Sequence, residues 1–316
     1  MWVGVDIGGT KTAIVLSVEP PSAIARVEFA TRPADGPEHA IEALKSTIRK
    51  LLAAHADGEV QGIGVSCGGP LDRVRGVIQA PPNLWTWVDV PIKSILESEF
   101  RAPCRLENDA NAGAVAEYRY GAGRGVQNMV FLTMGTGLGA GIITDGRLYH
   151  GACDMAGEIG HVRLTRKGPV GYGKAGSVEG WASGGGMAQV AAAAVGAACK
   201  RGEQTLLAEC VGAGKTLTAR DVGMAAQQGD AVAQRIIRGT GRRLGQTLAV
   251  LIDILNPERI VIGGLAMRLG DTLLEPARRV IRSEALARSA AACEIVPATL
   301  GESIGDIAAL CAATGV

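Results

Sequence analysis

The sequence has few aromatic residues and almost no net charge. Aromatic residues make up 3% of the 316 positions and hydrophobic residues 47%, so the core has to be built mainly from Ala, Val, Leu and Ile. The 32 Lys and Arg residues nearly balance 31 Asp and Glu residues. This balance argues against a protein that binds nucleic acid or an anionic membrane surface, and it favours a small-molecule ligand.

Paired cysteines and long apolar runs are also missing. The seven cysteines are odd in number and form no CxxC pair, which predicts reduced and mostly buried thiols. No basic leader precedes the first apolar run, and the longest nearly uncharged helical stretch, residues 184–199, is short for a membrane span. We therefore expect a cytoplasmic protein without a membrane span.

Glycine is abundant, at 45 residues, and two glycine turns stand in the same setting. "VDIGGTKTAIV" (5–15) and "TMGTGLGAGII" (133–143) each place a glycine turn between two apolar strands. Their separation of roughly 125 residues is too long for a solenoid repeat and indicates a duplicated domain. The chain length also favours two domains, and two related domains would enclose a cleft.

Several other segments carry a clear pattern. Apolar spacing predicts a helix over residues 38–56, a buried strand within 60–72 and a long helix over 230–258. "PCRLENDAN" predicts a strand that ends at Glu107 and a helix that follows it, and the last stretch, 303–316, is helical in composition.

The first glycine turn has the residues of a phosphate site. Gly8 and Gly9 let main-chain N–H groups approach an anion, and Thr10 and Lys11 add a hydroxyl and a cation. Asp6, at the end of the preceding strand, could hold Mg²⁺ through water. A glycine hairpin by itself is more often only a turn, and the combination of acid, hydroxyl and cation favours phosphate binding.

The second turn is a weaker signal. It has neither the ending of a P-loop nor the helix start of a dinucleotide fingerprint, but with the first turn it fits the opposite side of one phosphate site. Gly263 and Gly264 follow another predicted strand, where they could approach a base or ribose.

Two polar segments fit more than one role. In "ENDAN", Asp109 could accept a proton from a bound hydroxyl, while Asn108 and Asp109 also suit helix capping. In the glycine-rich loop 156–184, Glu158, His161 and Glu179 fit a metal site, a substrate site or a solvated loop. Three other histidines, together with Cys67, are expected to be ordinary surface or core residues. These histidines are His39, His55 and His150.

Six segments, in order and spacing, resemble the ROK family of sugar kinases. They are "VGVDIGGTKTAIVL", "GVSCGGPLD", "NLWTWVDVP", "ENDANAGAVAEYRYG", "GTGLGAGIITDGRLYHGACDMAGEIGH" and "LNPERIVIGG". The resemblance covers essentially the whole chain and implies an α/β fold of two actin-like, ribonuclease-H-like ATPase domains with a ligand cleft between them. We expect a smaller domain over 1–112, completed by a C-terminal helix at 302–316, and a larger domain over 113–301.

The resemblance also implies roles by position. Asp109 would be the catalytic base that activates a sugar hydroxyl, usually the one on C6, toward the γ-phosphate of ATP. Asp6 would serve Mg²⁺. The implied ATP contacts are Gly8, Gly9, Thr10, Lys11, Thr136, Gly137, Gly263 and Gly264. The implied sugar contacts are Gly69, Asn83, Asn108, Asp109, Glu158, His161 and Glu179.

The chain departs from the family in one loop. Most relatives carry a CxCGxxGC run just before the last sugar-binding glutamate, and those cysteines bind a structural zinc together with the preceding histidine. In this chain Val170, Tyr172 and Ser177 stand at the three cysteine positions, and His161 alone cannot supply four ligands. We expect no structural zinc, so the orientation of His161 depends on other partners.

Three functions stay open. The first is an ATP-dependent, glucokinase-like hexose kinase, with fructose, allose, N-acetylmannosamine or N-acetylglucosamine as other sugars. The second is a non-catalytic sugar sensor, since the family includes repressors; those carry an added helix-turn-helix module, for which a chain that opens at the phosphate motif leaves no room. The third, an actin-like ATPase, would not need the sugar contacts. Relatives are commonly dimers or tetramers, so a homo-oligomer is expected.

Overall fold

The fold is that of a computed structural model, which describes residues 1–55, 59–212 and 214–315. The strands are β1 (Trp2–Ile7), β2 (Lys11–Ser17), β3 (Ala25–Ala30), β4 (Gly62–Cys67), β5 (Leu71–Asp72), β6 (Val77–Ile78), β7 (Cys104–Asn108), β8 (Met129–Met134), β9 (Leu138–Thr144), β10 (Arg147–Leu148), β11 (Val170–Gly171), β12 (Lys174–Ala175), β13 (Arg259–Ile262) and β14 (Glu294–Pro297). The helices are α1 (Pro37–His55), α2 (Ile92–Phe100), α3 (Asp109–Tyr120), α4 (Val178–Ala182), α5 (Gly184–Lys200), α6 (Leu206–Gly212), α7 (Ala219–Gln227), α8 (Ala231–Leu255), α9 (Leu265–Leu269), α10 (Asp271–Glu284), α11 (Ala287–Ala292) and α12 (Ile304–Thr314).

Two five-stranded sheets share one plan. Their strand orders are β3-β2-β1-β4-β7 and β10-β9-β8-β13-β14. In the first sheet, β1 is antiparallel to β2 and parallel to β4; in the second, β8 is antiparallel to β9 and parallel to β13. The predicted repeat of strand, glycine turn and strand is therefore confirmed, because the two turns occupy equivalent places in the two sheets.

Each sheet has its own apolar core. In the first, α1 buries Ala40, Ile41, Leu44, Ile48 and Leu51, which lie on one face at helical spacing. In the second, the 25-residue helix α8 packs against α10, α5 and α7. Within the three described ranges, no helix is both long and apolar enough to cross a membrane.

Helices α3 and α12 join the two halves of the chain. The last helix, α12, returns to pack on β1 and β4 and against α3, while α3 also contacts β8 and β9. The approach of α12 is close, since a Cβ at Gly64 would overlap the carbonyl oxygen of Ala309. The predicted boundary at 112 and 113 falls within α3, and the division into domains stays a prediction.

Hydrogen bonds of Glu117 connect α3 to the segment that precedes α12. Its side chain is fully buried, and its carboxylate accepts hydrogen bonds from the main-chain N–H groups of Ala122 at 2.7 Å, Thr299 at 3.1 Å and Leu300 at 3.0 Å. A buried carboxylate requires such donors, because an unpaired one would be strongly destabilising.

Candidate active site

A cleft of about 510 Å³ is lined by loops from both sheets, within the size range of small-molecule sites. It brings together nine residues that the sequence singles out. These are Gly69, Asn83, Asn108, Asp109, Thr136, Gly137, Glu158, His161 and Glu179. The other predicted residues lie outside its lining.

Asn108 and Asp109 stand where β7 passes into α3. The side-chain oxygen of Asn108 caps the helix by accepting from the N–H groups of Ala110 at 3.0 Å and Asn111 at 3.3 Å. The side-chain nitrogen of Asn108 is on the side of Gly69, where a Cβ would come within 3.2 Å of it. Capping therefore fixes Asn108 and leaves its amide N–H₂ facing the cleft lining, so capping and ligand binding are compatible.

Asp109 lines the cleft, and its side chain is exposed to solvent there. Its Oδ1 accepts from the N–H of Ala110 at 2.8 Å. Partial desolvation by the protein atoms around the cleft raises the pKa of Asp109, and the main-chain hydrogen bonds offset part of that rise. Such a group is a stronger proton acceptor than an ordinary aspartate once it is ionised.

Glu179, on α4, contacts the second glycine turn. Its Oε2 accepts from the N–H of Leu138 at 3.1 Å, and a Cβ at Gly137 would lie 2.8 Å from the same oxygen. A side chain at 137 would displace this carboxylate, so glycine lets the turn approach it as it stands. Nearby, burial and the charges of Asp109 and Glu179 raise the pKa of Glu158, while His161 lowers it in part.

The loop over residues 170–177, where zinc ligands are expected in most relatives, is held in this chain by hydrogen bonds. Buried Ser177 caps α4 by accepting from the N–H of Gly180 at 3.1 Å. Gln189 on α5 clamps the main chain of Val170, accepting from its N–H at 2.9 Å and donating to its carbonyl oxygen at 2.8 Å. Lys174 donates to the carbonyl oxygen of His161 at 2.8 Å.

These residues do not fit a zinc site. Of the side chains at the expected ligand positions, His161 alone is of a type that binds zinc, and a tetrahedral structural site needs four ligands. Over residues 1–55, 59–212 and 214–315, no group of three or more His, Cys, Asp or Glu side chains is placed to hold a metal.

The first glycine turn touches the cleft through Asn83. A Cβ at Gly9 would lie 2.6 Å from the Cβ of Asn83, so the absence of a side chain at Gly9 lets the two loops meet. The hydroxyl of Thr31 donates to the carbonyl oxygen of Gly8 at 2.7 Å and so braces the turn. Lys11 pairs with Glu28 at 2.9 Å on the neighbouring strand.

Asp6 lies behind this turn among other acids. Burial, then the charges of Asp109 and Asp306, raise the pKa of Asp6 to about 6, while the hydrogen bond with Ser66 and the charge of Lys11 lower it in part. A Cβ at Gly305, in the first turn of α12, would overlap the Asp6 carboxylate. A hydrated cation near Asp6 would offset this repulsion without direct ligation by a cluster of acids.

A second cavity, of about 440 Å³, adjoins the cleft, because Gly135 and Thr136 line both. Gly264 lies in its wall with φ at +63°, and a Cβ there would overlap the carbonyl oxygen of Met134, so glycine is required. Gly263 lies outside this lining, and its N–H donates to the carbonyl oxygen of Leu132 at 2.8 Å.

The structure adds a contact that the sequence did not show. His150, expected to be an ordinary surface or core residue, lies with Nε2 2.9 Å from Oε2 of Glu107. Glu107 also accepts from the N–H of Asn108 at 2.9 Å and from the side chain of Asn111 at 3.1 Å. In the sequence, the signal for this contact was the carboxylate of Glu107, the first residue of "ENDAN".

Cys67 is a core residue as expected, and burial raises the pKa of its thiol well above the ordinary range.

Comparison with known proteins shows the family to which the chain belongs. The model of the ROK family matches residues 2–314. This chain belongs to the ROK family. This ROK protein is 36% identical over 310 residues to a glucokinase of Halalkalibacterium halodurans, covering 97% of this chain and 92% of that one. It is 30% identical to a xylose repressor of Caldicellulosiruptor bescii, covering 88% of this chain and 69% of the repressor.

Among solved structures, a ROK family glucokinase from Streptomyces griseus in complex with glucose and AMPPNP aligns with a TM-score of 0.83 and 31% identity. The alignment covers 99% of each chain. The fold class expected from the sequence is thereby confirmed: this ROK protein consists of two actin-like, ribonuclease-H-like ATPase domains with a cleft between them.

Proposed function

We propose that this ROK protein transfers the γ-phosphate of ATP to the C6 hydroxyl of a glucose-like hexose, with Asp109 as general base. The class of enzyme, an ATP-dependent sugar kinase, is confirmed by the glucokinases that match nearly the whole chain. The position of Asp109 carries the assignment of the base, since its carboxylate opens into a cleft lined by both sheets beside the Thr136 turn.

In the proposed reaction, Asp109 accepts the proton of the sugar hydroxyl as that oxygen bonds to the γ-phosphorus. The bond from phosphorus to the bridging oxygen breaks, and ADP leaves with the electron pair. The raised pKa of Asp109 supports this role, because it brings the proton affinity of the carboxylate closer to that of a base working near neutral pH. No covalent enzyme intermediate is required.

The sugar would be recognised by the polar side chains that surround Asp109. Each buried hydroxyl needs a donor and an acceptor, which the amides and carboxylates of the lining supply. The proposed sugar contacts are Asn83, Asn108, Asp109, Glu158, His161 and Glu179, with Gly69 allowing close approach.

The nucleotide would extend from the cleft into the adjoining cavity. Thr136 and Gly137 are proposed to hold phosphate groups, since Thr136 lines both spaces. Gly8, Gly9, Thr10 and Lys11 would approach the phosphates from the first sheet, and Gly263 and Gly264 would border the nucleoside. Asp6 would hold Mg²⁺ through water, and the cation would neutralise charge on the phosphates.

The test is a coupled ADP-release assay with Mg²⁺ across glucose, fructose, mannose, allose, N-acetylmannosamine and N-acetylglucosamine. We expect turnover with glucose that requires both ATP and sugar. A non-catalytic sugar sensor is the second candidate, supported by the 30% identity to a xylose repressor. Sugar binding by calorimetry without ADP release from any sugar would favour that candidate and contradict the kinase.

A dimer or tetramer and a cytoplasmic location are part of the same proposal. Sedimentation of the purified protein tests the first, and a tagged copy followed by fractionation tests the second. A monomer at assay concentration would contradict the proposed assembly.

A further inference from the structure

The hydrogen bond between His150 and Glu107 joins the two sheets beside the cleft. Glu107 is in β7, an edge strand of the first sheet, and His150 follows β10, an edge strand of the second. Nε2 of His150 lies 2.9 Å from Oε2 of Glu107, and the two side chains are partly buried, at 24% and 14% exposed. Partial burial reduces screening by water, so this contact is stronger than the same contact on an open surface.

The Glu107 carboxylate also orients the start of α3. Its Oε1 accepts from the main-chain N–H of Asn108 at 2.9 Å and from the side-chain N–H₂ of Asn111 at 3.1 Å. The Asn111 side-chain oxygen is buried and has no hydrogen-bond partner within the part of the chain that the structure describes. Such a carbonyl is destabilising, but turning the amide over would place its oxygen against the Glu107 carboxylate. Glu107 therefore fixes Asn111 and, with it, the first turn of the helix that carries Asp109.

His150 is the donor in its contact with Glu107. A carboxylate only accepts hydrogen bonds, so Nε2 of His150 carries the hydrogen between them. The two carboxylate oxygens are thereby divided, because one accepts from the start of α3 and the other accepts from His150 on the second sheet's side.

His150 begins a short loop that leads to Glu158 in the wall of the cleft. The carbonyl oxygen of His150 accepts from the N–H of Ala156 at 3.1 Å, which closes the loop on itself. The carbonyl oxygen of Gly157 accepts from the N–H of Ala140 at 3.1 Å, which attaches the end of the loop to β9. A shift of His150 would therefore also shift Glu158.

An ion pair of Arg73 and Asp154 offers a comparison with this contact. Arg73 directly follows β5, and Asp154 belongs to the loop that His150 begins. Nε of Arg73 lies 3.4 Å from Oδ1 of Asp154, and the Arg73 side chain is 36% exposed. A long, solvated pair of this kind contributes little. Over the described ranges, the hydrogen bonds of Arg73 do not include Glu107 or Asn108.

We propose that His150 and Glu107 are positioning residues, whose contact holds Asn108 and Asp109 in a fixed place relative to the wall that carries Glu158. The base and the sugar contacts come from elements of different sheets, and this contact keeps them in register. A proton acceptor has to lie within hydrogen-bond reach of the hydroxyl, so a small misplacement lowers the rate strongly. The proposal rests on the proposed kinase function, in which Asp109 is the base.

The test compares His150→Leu, which removes the donor at similar volume, with His150→Gln, whose side-chain nitrogen can still donate to Glu107. His150→Leu is expected to lower kcat with glucose by about tenfold to a hundredfold and to raise the KM of glucose by several fold. The KM of ATP should stay within about twofold, and His150→Gln should restore most of the lost kcat. Arg73→Gln is the matched control, since it removes the other contact of the same loop, and its kcat should be unchanged.

An unchanged kcat in His150→Leu would overturn the proposal, as would a loss that His150→Gln does not restore. A role in stability alone would lower the thermal unfolding midpoint of His150→Leu and leave the kcat of the folded enzyme as it is. If His150→Leu does not fold, His150→Asn takes its place, because its shorter side chain is polar but does not reach Glu107. Equal kcat in His150→Asn and His150→Gln would then overturn the positioning role.

Calorimetric titration with glucose separates this proposal from the proposed function. If the unaltered protein binds glucose but releases no ADP with any hexose, the kinase function fails. Weaker glucose binding by His150→Leu, restored in His150→Gln, would still support the positioning of the cleft by this contact. Equal affinity in all three proteins would overturn it.

Discussion

The imidazole ring of His161 meets the ring of Tyr172 edge to face, with centroids 5.9 Å apart and planes at 75°. Tyr172 stands at a position where most relatives are expected to carry a zinc-binding cysteine. Together with the hydrogen bond from Lys174 to the main-chain carbonyl oxygen of His161, this aromatic contact supports His161. The sequence did not show which residues support His161, and the contact with Tyr172 provides such support.

Tyr172→Ala is expected to raise the sugar KM by about fivefold to tenfold while kcat changes little. An edge-to-face aromatic contact contributes roughly 0.5–1.5 kcal/mol, and its loss would free the His161 ring. Tyr172→Phe keeps the ring and should behave like the unaltered enzyme. Steady-state kinetics with glucose decide the matter, and an unchanged KM in Tyr172→Ala would show that the contact does not position His161.

Asp109→Asn is expected to lower kcat by roughly 10²–10⁴ while sugar binding by calorimetry stays close to normal. Asparagine keeps the shape of the side chain and the cap region of α3 but cannot accept the proton. Turnover within a few fold of normal would contradict the assignment of the base.

Glu158→Gln is expected to shift the acid limb of the kcat profile to lower pH. Partial desolvation raises the pKa of Asp109, and activity should fall as pH drops through that raised pKa because the base becomes protonated. The charges of Glu158 and Asp109 repel each other, so removal of one lowers the pKa of the other. Glu42→Gln on exposed α1 is the control, and an acid limb that does not move in Glu158→Gln would refute the coupling.

Chelation is expected to leave the thermal unfolding midpoint unchanged, since hydrogen bonds stabilise the loop over residues 170–177, where a zinc site is expected in relatives. Elemental analysis should find no stoichiometric zinc, and one zinc per chain would contradict the prediction.

Gln189→Ala removes two hydrogen bonds to Val170 and should lower the free energy of unfolding by about 1–3 kcal/mol. It should also raise the sugar KM, because the clamped strand precedes the helix of Glu179.

Glu117→Gln is expected to lower the free energy of unfolding by roughly 2–4 kcal/mol. The amide loses the charge that accepts from Ala122, Thr299 and Leu300, and it turns an N–H₂ group toward N–H donors. Denaturant titration measures the change, with Glu42→Gln again as the surface control. A loss below about 0.5 kcal/mol would show that the carboxylate is dispensable at this joint.

Strongly periodic segments were predictable from the sequence. The helix expected over 38–56 is α1, the one expected over 230–258 is α8, and the strand expected to end at Glu107 is β7, which ends one residue later. These elements bury one continuous face or a full apolar run, so their patterns are local. The glycine turns were equally readable, because each separates two apolar strands in the same arrangement.

Contacts between distant segments were not predictable in the same way. The clamp of Gln189 on Val170 and the brace of Thr31 on Gly8 depend on where helices and loops come to lie in the fold. The His150 interaction with Glu107 joins residues 43 positions apart. The edge strand β3 is mostly exposed, so its sequence lacks the apolar run that marks β1 and β4.

The packing of α12 on β1 and β4 also determines when the first sheet can be covered during synthesis. During synthesis the first sheet is complete in its strands once β7 has been made, but one face stays uncovered until residues 304–314 leave the ribosome. Contacts of such long sequence separation form slowly. For most of its translation, the half of the enzyme that is made first would therefore expose an apolar surface that a chaperone can bind.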